Sequence, residues 1–418
     1  MGETLVPDTF GPLRGVKVLS TGSVIAQPFA AVLAAQWGAE VIQVENPHVE
    51  DVWRTVGLGL PGNNGSSVSA SYLAERRNEF NVRLDMGTSE GKEMFLRLAE
   101  RADVWMESSK PGTYTKWGLS DEVVLARNPR LVICHVSGYG QEGDPSYLGR
   151  ASYDMIGQAF GGTMYQTGFP DTPPTRAAPW IADYITALFC LSSTLAALVH
   201  ARETGEGQSI DLAQFEAIHA VLGGTMIEWF QLGMVRERSG NKSPSFQPYD
   251  VYQCSDGSVV IASPAPTIHE KICRLLELDS TDPYWAGART EINEVNGLEF
   301  DALLRGWVEE RTMNDVIGTL NAEGIPCAPI LSSRDAAEDA HYQARGVHIE
   351  WDDDQVGRLK GTGVVPRFSG TPGKIWRGSG APGTDNARVF GELLGYSEAE
   401  LERLAAQGVI EPRRATLA

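Results

Sequence analysis

Through the first 150 residues, short β-branched runs alternate with stretches whose apolar positions recur at helical spacing, the rhythm of parallel βαβ units. VKVLS, Val16 to Ser20, reads as a strand, and Pro28 to Trp37 reads as an alanine-rich helix ending at Gly38. AEVIQVE makes a second strand ending at Glu45. A helix over Ser89 to Arg101, the strand DVWME, a helix after Ser120 and the strand LVICHVSG, ending at Gly138, continue the series. Such an alternation predicts an open α/β sheet.

A long apolar helix is predicted from Asp183 to Arg202. Its most membrane-like part, Tyr184 to Leu198, contains Thr186, Ser192, Ser193 and Thr194 and is too short to span a bilayer, so it reads as a helix buried on all sides. GEGQSIDLA then supplies a glycine turn and a further strand, followed by a helical stretch from Gln214. The pattern changes after Lys242. Two strand-like runs flank Ser255-Asp256-Gly257-Ser258, a hairpin signal, and amphipathic helices follow near Ile268 to Leu276 and Phe300 to Glu309, which predicts a smaller α+β unit. A terminal helix pair is expected around Arg388 to Ala406.

Composition narrows the function classes. The 418 residues carry 35 Lys plus Arg against 54 Asp plus Glu, a net charge of -19 that repels a phosphate backbone or an anionic lipid surface. Neither nucleic acid nor a membrane is an expected partner. The five cysteines, Cys134, Cys190, Cys254, Cys273 and Cys327, are odd in number and form no CxxC pair, which predicts neither a disulfide framework nor a zinc site and suits a reducing cytoplasm. The N-terminus has no basic stretch followed by an apolar one, so no signal peptide is expected.

Familiar phosphate and hydrolase motifs fail on inspection. The first βα turn, Ser20-Thr21-Gly22-Ser23-Val24-Ile25-Ala26, has one glycine where a dinucleotide site needs several, and Gly87 to Glu93 lacks P-loop spacing. There is no GxSxG elbow, no HExxH and no ligand-spaced histidine pair, so no metal is expected. His135, in an apolar strand, reads as a satisfied core histidine, and Cys134 and Cys190 read as packing residues. The Arg76-Arg77 pair fits either a salt-bridged surface or a grip on an anionic cofactor.

Several segments in order carry a resemblance. GPLRGVKVLSTGSVIAQPFAAVLAAQWGAEVIQVENP, ESSKPGTYTKWGLS, NPRLVICHVSGYGQEG, SYDMIGQAFGG, ADYITAL and ETGEGQSIDLA resemble the class III CoA-transferase family over nearly the whole chain. SYLAERRN, IADY and PRFSGTPGKIWRG are most similar to its crotonobetainyl-CoA:carnitine branch. The resemblance implies a Rossmann-like large domain over 1–225 completed by 350–418, a small α+β domain over 245–335, linkers at 226–244 and 336–349, and an interlocked homodimer. It implies Asp183 as a nucleophile that passes through a mixed anhydride to an aspartyl-CoA thioester, with acyl-CoA and a small carboxylic acid as substrates and no tightly bound cofactor. At the start of its helix, dipole and free N–H groups are expected to keep that carboxylate ionised.

CoA contacts are implied at Ile25 and Ala26, at Arg76, Arg77 and Asn78, at Lys110 and Lys116, and at Gly138 and Tyr139. Gly138 and Gly161-Gly162 are candidates for oxyanion donors. Glu79 and Phe80 stand where many relatives carry basic residues, and no arginine matches the one the carnitine branch has near Trp117. The glycine run of formyl- and oxalate-specific relatives is replaced by SPSFQPYDVY. A related racemase chemistry would need a histidine at Tyr153, a poor base as tyrosine. Trp180, Tyr165, Trp229 and Phe230 are candidates to face a trimethylammonium group.

Overall fold

Residues 4–63 and 65–411 are described in a computed structural model. The chain divides into two compact units, one from the described parts of 1–163, 177–223 and 343–418, the other from 164–176 and 224–342. The segment 164–176 thus belongs with the second unit.

In the first unit, six strands form one parallel sheet: β1 (Lys17–Ser20), β2 (Glu40–Glu45), β3 (Glu79–Arg83), β4 (Val104–Glu107), β5 (Val132–Ser137) and β6 (Gln208–Ala213). Their spatial order is β3-β2-β1-β4-β5-β6. The order reverses between β1 and β4, which opens a crevice outside the carboxyl ends of those two strands. Strand residues alternate between two cores, as a period of two requires. Leu19, Ile42, Phe80, Trp105 and Ile133 face one layer, and Val18, Val41, Val104, Val132 and Cys134 face the other.

The helices that frame the sheet and its crevice are, in order, α1 (Pro28–Gln36), α2 (Ala70–Glu75), α3 (Ser89–Ala99), α4 (Asp121–Arg127), α5 (Asp154–Gly161), α6 (Ile181–Thr204) and α7 (Gln214–Ala220). Pro28 starts α1, where its fixed φ suits the first turn and its missing N–H costs nothing. Thr88 caps α3 by accepting from the Gly91 N–H. α1 and α6 cover one face of the sheet, and α3, α4 and the C-terminal segments cover the other.

α6 differs from its expectation in two ways. It runs 24 residues, Ile181–Thr204 against the expected 183–202, and is long and apolar enough by length and composition to cross a bilayer. It is also buried on one side only. Ala187, Cys190, Leu191, Leu198 and Ala201 pack on the sheet and α1, while Leu188, Phe189 and Val199 lie exposed on the opposite face.

The C-terminal return completes this unit. It begins with the hairpin His348–Asp353 and Gly357–Thr362 and continues along β3, where Asp385 accepts from the Asn81 N–H at 2.7 Å and Asn386 from the Arg83 N–H at 2.9 Å. Val389, Phe390 and Leu404 then enter the core below α3. The terminal helix Glu398–Ala406 begins with a Ser397/Glu400 capping box.

The second unit holds a three-stranded antiparallel sheet. Tyr249–Cys254 and Gly257–Ala262 pair across the two-residue turn Ser255-Asp256, in the predicted hairpin, and Cys327–Pro329 joins the other edge. Helices Pro266–Leu275, Val295–Glu309 and Met313–Ala322 supply Ile272, Phe300, Leu304, Val308, Val316 and Leu320 to its core.

Candidate active site

A pocket of about 220 Å³ lies at the reversal of strand order, entirely within the first unit. Three walls are loops that leave the carboxyl ends of strands: Ser23 to Ala26 after β1, Ser108 to Pro111 after β4, and Val136 to Gly140 at the end of β5. Gly149 to Tyr153 form a fourth wall, and Asp183 and Gln214 close the floor.

The first wall explains the single glycine of the βα turn. Gln27 is fully buried, and its Oε1 accepts from the Gly22 N–H at 2.8 Å. A Cβ on residue 22 would stand 2.0 Å from that oxygen. The side chain of Gln27 therefore occupies the space beside the turn, and residue 22 must lack a Cβ to leave it room. Two residues later Val24 has φ +66°, a left-handed conformation that a β-branched residue adopts only under constraint. The constraint is visible. The Val24 N–H donates to Asp51, and the Val24 carbonyl accepts from Arg76 Nη2 at 3.0 Å.

Asp183 lies in the first turn of α6 and is 5% exposed. The free N–H groups expected to stabilise its charge are taken by a neighbour. Asp154 Oδ1 accepts from the backbone N–H groups of Ala182 and Asp183 at 2.8 and 3.3 Å, while its Oδ2 accepts from Gln158 Nε2 at 2.7 Å. Burial first and the Asp154 charge second push Asp183 up to about 7, with a hydrogen bond from Gln214 pulling the other way. This corrects the expectation of a carboxylate held ionised by its helix; near neutrality it is poised between its two forms.

The residues expected to contact CoA separate into two groups. Ile25, Ala26, Lys110, Gly138 and Tyr139 all line the pocket. Lys110 is exposed, and Arg150, which sequence reasoning passed over, adds a second cation with its guanidinium 4.1 Å over the Tyr147 ring. Lys116 is exposed but does not line the pocket.

Arg76, Arg77 and Asn78 lie outside the pocket, with their side chains engaged in the fold. Arg76 is 1% exposed and pairs with Asp51 at 2.9 Å. Arg77 donates to the Thr362 carbonyl at 2.7 Å and stacks over Trp351, and burial lowers its pKa to about 10. Asn78 donates to the Lys374 carbonyl at 2.6 Å and accepts from the Trp376 N–H at 2.9 Å. Glu79 and Phe80 belong to the buried strand β3, where burial raises Glu79 to about 8.

Other candidates fall into place by packing. His135 stands between Glu107, 2.7 Å from Nδ1, and Asp121, 3.1 Å from Nε2; burial opposes its charge, but these hydrogen bonds outweigh it and raise the imidazole to about 10. Cys134 and Cys190 are buried thiols 3.6 Å apart. Gly161 packs against Ile218, and neither it nor Gly162 lines the pocket. Of the aromatics considered for a cationic acceptor, Trp180 packs edge-on to Trp53 at 6.0 Å, while Tyr165, Trp229 and Phe230 belong to the second unit. Tyr153 lines the pocket with its ring exposed.

The chain is similar to known proteins over most of its length. The family model described as CoA-transferase family III matches residues 13–386. A bile acid CoA-transferase of Clostridium scindens is 37% identical over 96% of this chain and 90% of its own length. An L-carnitine CoA-transferase of Proteus mirabilis is 34% identical over 98% and 99%. A crystal structure of a CAIB/BAIF family protein from Brucella suis superposes with a TM-score of 0.78 at 31% identity, covering 92% of this chain and all of that one.

Proposed function

We propose, from the premise that this chain belongs to CoA-transferase family III, that it moves CoA from an acyl-CoA to a free carboxylic acid through a thioester on Asp183. The observation that carries the reading is the buried Asp183 carboxylate on the floor of a pocket whose rim holds Lys110 and Arg150. The carboxylate attacks the acyl carbon, the departing CoA thiolate attacks the resulting anhydride, and the acceptor carboxylate takes CoA from the aspartyl thioester. Lys110 and Arg150 supply charge for the CoA phosphates. Carnitine is the acceptor we assign, with crotonobetainyl- or butyrobetainyl-CoA as donor. The carnitine-branch segments and the Proteus relative support this. A bile acid is the second reading, supported by the Clostridium relative.

The test is an acceptor screen by mass spectrometry, in which carnitine and a bile acid are offered against crotonobetainyl-, butyrobetainyl- and succinyl-CoA. CoA should appear on carnitine, and hydroxylamine should inactivate the enzyme once acyl-CoA is present. Transfer to the bile acid alone would give the acceptor assignment to the second reading, and absence of transfer to any carboxylate would remove the transferase reading.

The state of Asp183 sets a pH dependence. Only the ionised carboxylate is a nucleophile, so kcat/KM should fall as pH drops through about 7. Asp154→Asn removes a charge that raises the Asp183 pKa, so the acid limb should move downward in that variant. An acid limb near 4 in the unaltered enzyme would refute the assignment.

Pairing of two copies as an interlocked dimer belongs to the same proposal. Its support is the apolar surface left open on a single chain: Leu188, Phe189 and Val199 on α6, and Ile227, Phe230 and Leu232 on the helix Thr225–Leu232. Linked chains separate only on unfolding, so mass photometry should find dimers at nanomolar concentration, whereas an ordinary interface follows mass action. Folded monomers there would defeat the interlocked arrangement.

A further inference from the structure

The two oxygens of Asp183 have different surroundings. Gln214, the first residue of α7 and 4% exposed, donates Nε2 to Asp183 Oδ1 at 2.5 Å. No hydrogen bond reaches Oδ2 among the described residues. The other end of the same amide is also held, since Gln214 Oε1 accepts from Ser152 Oγ at 2.9 Å. An ionised carboxylate only accepts, so the amide must turn its NH₂ toward Asp183. Packing fixes the amide in that place. A Cβ on Gly157 of α5 would lie 2.7 Å from the Gln214 amide carbon, so only glycine leaves room for it.

We propose that Gln214 is a catalytic residue, the oxyanion donor for the two additions that occur at the carboxyl carbon of Asp183. This rests on Asp183 being the nucleophile. In the first addition, Oδ2 attacks the acyl carbon and the C–S bond breaks. CoA leaves as thiolate, and Oδ1 remains the aspartyl carbonyl oxygen of a mixed anhydride. In the second, the thiolate adds to Asp183 Cγ and the C=O electron pair moves onto Oδ1. The pair returns as the Cγ–Oδ2 bond breaks, which releases the first acid as carboxylate and leaves the aspartyl thioester. In the third, the acceptor carboxylate adds to Cγ, Oδ1 again takes the charge, and CoA thiolate departs. In the fourth, that thiolate adds to the acceptor's own carbonyl carbon and Asp183 leaves as carboxylate.

Negative charge therefore falls on Oδ1 in the second and third additions and on an acyl oxygen in the first and fourth. The Gln214 N–H is already aimed at the atom that gains charge, and it is a neutral donor that transfers no proton. Its bond strengthens when Oδ1 passes from carbonyl to oxyanion, which is the differential stabilisation that lowers a barrier.

The experiment uses Gln214→Met, which keeps the length of the side chain and removes the donor. Rapid-quench mass spectrometry follows the intact enzyme mixed first with acyl-CoA alone and then with an acceptor acid. Formation and discharge of the aspartyl-CoA thioester should each slow by about 10²- to 10³-fold, the usual effect of removing one oxyanion donor. An acyl adduct on Asp183, the anhydride, should become detectable ahead of the thioester, while KM for acyl-CoA stays near its original value. Ser152→Ala, which loosens the amide without removing it, should slow the same two steps by a smaller factor and serves if the methionine variant does not fold. Thioester formed and discharged at the original rate would overturn the proposal. So would an equal slowing of anhydride formation, since Gln214 would then merely hold Asp183 in place. Absence of any covalent adduct in the unaltered enzyme would instead remove Asp183 as nucleophile, and the proposal with it.

Discussion

Asp183→Ala should reduce CoA transfer by at least about 10⁴-fold, because removing the nucleophile of a covalent mechanism removes the route and not a contribution to it. CoA affinity, measured by calorimetry, should stay within a few-fold, since this carboxylate lies on the pocket floor and Lys110 lies on the rim. Lys110→Ala should show the opposite division, with CoA binding weakened by about 1 to 3 kcal/mol and the covalent step retained.

Asp183→Asn adds a folding control with a definite sign. The folded protein holds Asp183 at about 7, above its value in the unfolded chain, so ionisation destabilises the fold. That cost is full above about pH 7 and absent below the unfolded pKa near 4, so the asparagine variant should be the more stable by up to about 4 kcal/mol at pH 8, with no difference at acid pH. Substantial transfer by Asp183→Ala would eliminate the nucleophile assignment.

Arg76→Ala should cost about 3 to 5 kcal/mol of folding stability without any ligand present, the usual effect of breaking a buried ion pair and leaving its partner uncompensated. Asp51 would lose its counter-charge, and Glu79, raised to about 8 by burial, would lose the cation that most offsets that rise. The Val24 loop would also lose the hydrogen bond to its carbonyl, so the first wall of the pocket should loosen. Denaturation of the CoA-free protein measures the first effect, and amide hydrogen exchange at Val24 to Ala26 measures the second. Unaltered stability together with lost CoA affinity would return Arg76 to the role of a phosphate ligand.

The strands β1, β2, β4 and β5 were legible because their β-branched residues sit between turn signals, and burial on both faces of a parallel sheet favours such runs. β3 was not. Its sequence EFNVR alternates polar with apolar residues and suggests a half-exposed segment, yet all five residues are buried. Asn81 and Arg83 are held by chain that lies far away in sequence, while Glu79 keeps a buried oxygen without a hydrogen bond among the described residues. Asn81 donates to Glu45 at 2.6 Å and its N–H to Asp385, and Arg83 pairs with Glu45 at 3.5 Å. Propensity describes a residue with its neighbours, and these partners are not neighbours.

By itself the sequence determined the alternation of strand and helix, the Ser255-Asp256 hairpin, the family, and the expectation that Asp183 stands at the start of a long helix. These depend on local periodicity and on motifs that are contiguous in the chain. Tertiary structure alone decided the electrostatics of that carboxylate: Asp154 takes its helix N–H groups, Gln214 holds one of its oxygens, and burial lifts its pKa. It also decided that Arg76 clamps a loop and pairs with Asp51, and that one face of α6 is left bare. The physical reason is common to all three. Charge state, hydrogen-bond partner and burial are properties of the space around an atom, and that space is filled by residues 25 to more than 300 positions away.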